Sequence, residues 1–228
     1  TFNDLIRGEI SFDTGELGDF VIAKSLDEPL YHFAVVVDDW QMAISHIIRG
    51  EDHISNTPRQ ILIQEVLGAP RPIYAHIPLI LAPDRSKLSK RHGAISVTEY
   101  RAQGYLPEAL TNYLALLGWN PGTDQEIFSR KELINQFSLE RIQRAGAIFN
   151  LEKLKWFNRE YLKTKDDSVW EDIFTPVWPS QGRNAIISLI RERVATVTEG
   201  KFLLASGEYD YLRTPPLVDQ NSLKTPGT

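Results

Sequence analysis

Cysteine is absent from this 228-residue chain, which excludes disulfides and thiolate zinc sites and leaves nothing that asks for an oxidising compartment. No window approaches the ~20 continuous apolar residues that a membrane-crossing helix needs, and the N-terminus lacks the basic-then-apolar layout of a signal peptide. A cytoplasmic location with no membrane partner is therefore expected. Methionine occurs once, at Met42, and the chain begins at Thr1, so a processed product or a piece of something longer is expected. Four familiar signatures are also missing: Gly-x-Gly-x-x-Gly, a Walker A loop, His-Glu-x-x-His and Gly-x-Ser-x-Gly. The histidines, His32, His46, His53, His76 and His92, lie too far apart for a local metal cluster, and no protein-held metal is expected. Positive charge is in short supply. Lysine plus arginine total 25 against 30 acids, a net charge of −5, which argues against non-specific coating of nucleic acid but not against a local basic patch.

What remains is an ordinary globular composition, 42% hydrophobic and 24% charged, long enough for one large or two modest domains. Residues 6–12 and 19–25 are short β-branched and aromatic runs separated by Asp13, Gly15 and Gly18, and a β-hairpin is the simplest expectation. Between Pro29 and Met42 the apolar run fits either a buried strand or a helix. Residues 44–48 read as a strand running into a polar turn, Arg49 to His53. Thr57, Pro58 and Gln60 then form a capping-box pattern for a helix that Gly68 ends. A second strand is expected over 73–81, although Pro78 interrupts it. Strand, helix, strand in this order predicts a parallel crossover, and ligands of such sheets bind beyond the carboxyl ends of the strands.

Just beyond the second of those ends lies Ala82-Pro-Asp-Arg-Ser-Lys-Leu-Ser-Lys-Arg-His-Gly93. Residues 84–92 carry a net charge of +3, leaving −8 on the rest. Ammonium groups, backbone donors and the small hydroxyls of Ser86 and Ser89 suit a polyphosphate, with a merely solvated loop as the alternative. Further on the pattern turns helical: a capping box at Ser96 and Glu99, a helix opened by Pro107 and closed by Gly118, and helices over 130–137, 151–163, 169–177 and 184–204. From Ser206 onward, prolines and glycines predict loop or linker. Trp156, Phe157 and Tyr161 at helical spacing read as core, with base stacking the alternative. Lys153, Lys155, Arg159, Lys163 and Lys165 around them form either a solvated face or a track for RNA backbone. Asp38 and Asp39 are adjacent in sequence, so structural roles suit them better than a magnesium site.

Lys87-Leu-Ser-Lys-Arg91 resembles the Lys-Met-Ser-Lys-Ser signature of class I aminoacyl-tRNA synthetases. Pro29 to Asp39, Ile48 to Gln60, Gly104 to Leu110 with Asn112 to Trp119, and Leu151 to Asn158 resemble consecutive blocks of the glutamyl branch, in the family's order. The resemblance implies an α/β fold: the second half of a Rossmann-type parallel sheet, followed by a mainly helical stem-contact region and the start of a helical anticodon-binding domain. It implies boundaries of 1–31 for the end of an inserted acceptor-binding domain, 32–84 for the half-sheet, 85–166 for the loop and stem-contact region, and 167–228 for the anticodon-binding start and tail. It further implies glutamate activation with ATP and Mg2+, transfer to tRNA(Glu), and a monomer. Lys87, Ser89 and Lys90 are the expected catalytic residues. Tyr31 and Arg49 are expected to hold glutamate, Arg49 by a two-pronged guanidinium grip. His53, Lys87, Leu88, Ser89, Lys90 and Arg91 are expected to contact ATP. Independently of the family, Arg49 also suits a salt bridge to Glu51 or Asp52, and His53 a plain helix-entry residue. The family's first ATP signature, His-Ile-Gly-His, is missing, so the chain alone is not expected to activate glutamate. The alternatives are a non-catalytic tRNA-binding module and the paralogue that glutamylates a modified tRNA base.

Overall fold

A computed structural model describes residues 1–89, 91, 96–174, 178 and 183–213. The chain forms two compact units, Thr1–Gly93 with Leu114–Phe149, and Ala94–Tyr113 with Asn150–Thr228.

The first unit is built on a four-stranded sheet in the order β2-β1-β6-β5. Its strands are β1 (Phe2–Asp4), β2 (Gly8–Ile10), β5 (His46–Gly50) and β6 (Ile73–Ile77). A small separate hairpin joins β3 (Ala23–Ser25) to β4 (Glu28–Pro29). Helix α1 (Tyr31–Gln41) leads into β5, and α2 (Thr57–Leu67) joins β5 to β6. The predicted crossover is present, with β5 parallel to β6 in the register His46↔Ile73 to Gly50↔Ile77. Gly68 closes α2 in the left-handed region, φ +67°, where glycine carries no Cβ penalty. Phe2, Ile61 and Tyr74 form the core between sheet and helix. The run after Pro29 is helical despite three consecutive valines, because Val36 is buried and packing outweighs β propensity.

Several local expectations do not hold. Residues 6–12 do not pair with 19–25; β1 pairs with β2, and β3 with β4. Asp4 decides this: its carboxylate accepts the N–H groups of Ile6 and Arg7, each at 2.9 Å, and so fixes a turn over residues 5–7. The 73–81 strand divides into β6 and β7 (Ile80–Leu81), and β7 joins β8 (Ala147–Ile148) in a separate parallel pair. Pro78 lies at the break, where its missing N–H cannot serve a ladder. Arg49 and Gly50 complete β5 instead of forming a turn, and a 3-10 helix, Glu51–Asn56, runs straight into α2. The Thr57 N–H is consequently bound by the Ile54 carbonyl, and Thr57 and Gln60 form no capping box.

In the same unit α5 (Arg130–Gln136) packs Leu133 with Trp119 and Phe128. The second unit is helical: α3 (Val97–Ala102), α4 (Pro107–Gly118, across whose length the unit boundary falls), α6 (Leu151–Lys163), α7 (Asp167–Phe174), α8 (Arg183–Arg193), α9 (Val197–Ala205) and α10 (Asp210–Arg213). The capping box at Ser96 and Glu99 is formed. The long helix expected over 184–204 is two, because Thr196 turns extended and caps α9 through the Glu199 N–H. Residues 175–177 of one expected helix, and most of the expected tail, lie outside the described residues. Trp170, Phe174, Ile186, Ile190 and Leu204 form this unit's core.

Candidate active site

The carboxyl ends of β5 and β6 carry the polar cluster. Arg49, next to last in β5, is half-buried, and its guanidinium is held from three sides. Its Nε–H donates to His76 Nε2 at 3.1 Å, and Nη2 donates to Thr57 Oγ1 and Gln60 Oε1, each at 2.8 Å. The pair misread as a helix cap is thus spent on the arginine. Tyr31, at the start of α1, is exposed, hydrogen-bonds the guanidinium, and lies 6.2 Å from the His53 ring. Burial pulls the Arg49 pKa down from its usual value, while Tyr31, Tyr74 and Asp39 oppose it, and the group stays cationic.

Neither acid predicted for Arg49 pairs with it. Glu51 takes Arg7 at 2.5 Å and the Leu79 N–H at 3.0 Å, and Asp52 takes Lys87 at 2.6 Å. Among the described residues no carboxylate is within ion-pair distance of Arg49. Nε and Nη2 give three N–H groups to His76, Thr57 and Gln60, Tyr31 bonds the guanidinium as well, and both two-nitrogen forks of a guanidinium include Nη2. A two-pronged grip on a carboxylate would share Nη2 with Thr57 and Gln60. The Tyr31 hydroxyl is a further hydrogen-bond partner of the same guanidinium.

Behind Arg49 lies a pair that the sequence did not single out. His76 and Asp4 have fully buried side chains, and His76 Nδ1 is 2.6 Å from Asp4 Oδ2. Asp4 also accepts the His76 backbone N–H at 3.0 Å. Burial works to raise the Asp4 pKa, but the Arg7 N–H, the His76 ring and the Ile6 N–H overcome it and hold the carboxyl below its usual range. Burial lowers the His76 pKa, so its ring is neutral near pH 7. The available sequence signal was a histidine inside Tyr74-Ala-His-Ile77, a strand apolar on both faces, where a polar ring requires a partner.

The basic loop folds back on β7. The Ala82 N–H donates to the Ser86 carbonyl at 2.8 Å, the Leu88 N–H donates to the Ile80 carbonyl at 3.0 Å, and Asp84 accepts from both Ser86 N–H and Oγ. Arg85 sits at φ +64°, a left-handed position unusual for a side chain of its size. The Lys87 ion pair ties this loop to the 3-10 turn that carries His53. His53 is half-buried and hydrogen-bonds Asn56 at 3.1 Å. Leu88 and Ser89 are half-buried, Arg91 is exposed, and Lys90 and His92 lie outside the described residues. Tyr31, Arg49, His53 and Lys87 therefore come together on one face of one unit.

Phe157 and Tyr161 are core residues of α6, and only Trp156 reaches the surface layer, under the Lys153 ammonium at 4.0 Å. Three lysines of the expected RNA-facing group are ion-paired: Lys155 with Glu152, Lys163 with Glu160, and Lys165 with Glu108. Among the described residues no three His, Asp or Glu side chains converge as a metal site. Asp39 is partly buried, which raises its pKa, in keeping with a structural role.

A parallel crossover with an anchored arginine and a basic loop at its strand ends defines an α/β protein of the nucleotide-binding class. The family described as tRNA synthetases class I (E and Q), catalytic domain, matches residues 1–156, and the chain belongs to it. The glutamate–tRNA ligase of Carboxydothermus hydrogenoformans is 50% identical over 210 residues, which cover 86% of this chain and 44% of that protein. That of Heliobacterium modesticaldum is 58% identical over 164 residues, 72% of this chain and 33% of that one. A glutamate tRNA ligase from Elizabethkingia meningosepticum, solved in complex with its amino acid, superposes with a TM-score of 0.80 at 37% identity, covering 87% of this chain and 45% of that structure. The chain thus spans less than half the length of these relatives.

Proposed function

We propose that this chain supplies the amino-acid grip and the phosphate-binding loop of a glutamate–tRNA ligase. The observation that carries the reading is Arg49: a fixed cation at a parallel strand end, with its neighbouring acids paired elsewhere and the Lys87 loop tied to the adjacent turn. The side-chain carboxylate of glutamate meets the Arg49 guanidinium and the Tyr31 hydroxyl, while His53 lies beside the adenosine. The α-carboxylate attacks the α-phosphorus of ATP, the bond to the β-phosphate oxygen breaks, and pyrophosphate leaves with glutamyl-adenylate formed. Two anions approach each other in this step, so cations and positioning dominate its barrier. Lys87 and Lys90 supply that charge from a loop that Leu88, Ser89 and Arg91 shape around the triphosphate. The terminal ribose hydroxyl of tRNA(Glu) then takes the glutamyl group and releases AMP.

Mg2+ enters bound to ATP. It is held by phosphate and water ligands more than by a dedicated all-protein cage. Family-block boundaries at 31, 84 and 166 and a cytoplasmic setting belong to the same proposal. The test is glutamate-dependent ATP–pyrophosphate exchange, with tRNA present, by a ligase of full family length carrying this sequence. Arg49→Ala is expected to remove saturation by glutamate, and an unchanged glutamate KM would overturn the reading.

A further inference from the structure

Arg49 has an aliphatic stem with several free torsions, so something must choose the bearing of its guanidinium. Thr57 and Gln60 hold only Nη2. A group pinned at one terminal nitrogen can still pivot; Tyr31, its further partner, is itself exposed, and the buried contact that removes the pivot is Nε–H to His76 Nε2 at 3.1 Å.

That contact requires one tautomer. Asp4, ionised, can only accept, so the ring nitrogen 2.6 Å from it, Nδ1, carries the proton. Nε2 is then bare and accepts from Arg49. The opposite tautomer would set a bare Nδ1 against a carboxylate and an Nε2–H against the arginine N–H. Asp4 is itself immobile, since it also accepts the N–H groups of Ile6, Arg7 and His76 while its strand pairs with β6. Thr57 Oγ1 also lies 3.2 Å from His76 Nε2, but its hydroxyl can donate to the bare Nε2 or to the His53 carbonyl, likewise at 3.2 Å, so it does not need the His76 proton.

We propose that His76, locked by Asp4 as a proton acceptor, is the positioning residue that aims Arg49 and thereby sets recognition of the acidic amino acid. This inference rests on the glutamate-binding reading of Arg49. It predicts a loss confined to that substrate, because the His76 ring touches the arginine and Thr57 and, among the described residues, no part of the nucleotide loop.

The test uses the full-length ligase carrying this sequence. His76→Phe keeps ring shape and removes the acceptor; it is expected to raise the glutamate KM about tenfold, leaving the ATP KM and kcat within about twofold. His76→Gln returns an acceptor near Nε2 and is expected to recover most of that loss. An unchanged glutamate KM in His76→Phe, or equal losses for glutamate and ATP, would overturn the proposal, as would a folded His76→Gln no better than His76→Phe. Should His76→Phe not fold, 15N NMR of the wild-type chain decides: a protonated Nδ1 with a bare Nε2 supports the proposal, and a protonated Nε2 overturns it. Arg49→Ala in the same assay separates the two readings. If it leaves the glutamate KM unmoved, the functional reading fails; if it raises KM while His76→Phe does not, only the positioning role fails.

Discussion

Lys87 and Asp52 are 35 positions apart in sequence, and their side chains meet at 2.6 Å. The contact anchors a cationic loop to the turn that follows the arginine strand. Both side chains are well exposed, at 60% and 39%, so the pair is screened, and its double-mutant coupling to stability is expected to stay below about 1 kcal/mol and to shrink with salt. Its importance is positional. Asp52→Asn is expected to leave the thermal midpoint nearly unchanged while altering the ATP KM of the full-length ligase, measured by pyrophosphate exchange; a large drop in midpoint would contradict this.

Lys90 is the other cation of the loop assigned to departing pyrophosphate. Lys90→Ala should slow exchange by the equivalent of about 3 kcal/mol, the magnitude typical of one lost transition-state contact. Exchange at the wild-type rate would remove Lys90 from the proposed chemistry.

Acid should weaken the first unit in two stages. The folded pKa of His76 lies below its ordinary 6.5, chiefly through burial, so below that pH the unfolded chain binds a proton the folded chain refuses. The folded pKa of Asp4 lies below 3.8, and its contribution fades as pH falls from that value through the folded pKa. In both stages the unfolded state holds more protons, so stability rises with pH. A series of urea melts from neutral to acid pH checks this, and His76→Gln should flatten the upper stage; a midpoint independent of pH through that window would refute it.

In the helical unit, Asn158 is fully buried, accepts the Leu106 N–H at 2.7 Å and donates to the Ala195 carbonyl at 2.6 Å. Asn158→Leu removes both contacts and strands two backbone groups, an expected loss of about 2–4 kcal/mol in denaturant unfolding. A near-neutral result would show that water reaches those groups.

The readable parts of the fold were those with local punctuation. Thr57-Pro58 and Gly68 bracket α2, and the strands either side of it followed from apolar runs of the right length. Pairing partners were not readable in the same way: the antiparallel β1–β2 and the parallel β1–β6 contacts depend on where Asp4 places a turn and which N–H groups it accepts. Thr57 and Gln60 show the limit at the site. Their spacing matched a capping box, but an arginine arriving from β5 claimed both side chains. His76 and Asp4 are 72 positions apart, and no local pattern joins them.

A guanidinium fastened through three of its hydrogens cannot swing forward to follow its guest. Under the proposed reading it acts as a fixed ruler: aspartate, one methylene shorter, carries the right charge but falls short of the guanidinium. Discrimination between the two acids then comes from reach, which tighter electrostatics elsewhere in the pocket could not replace.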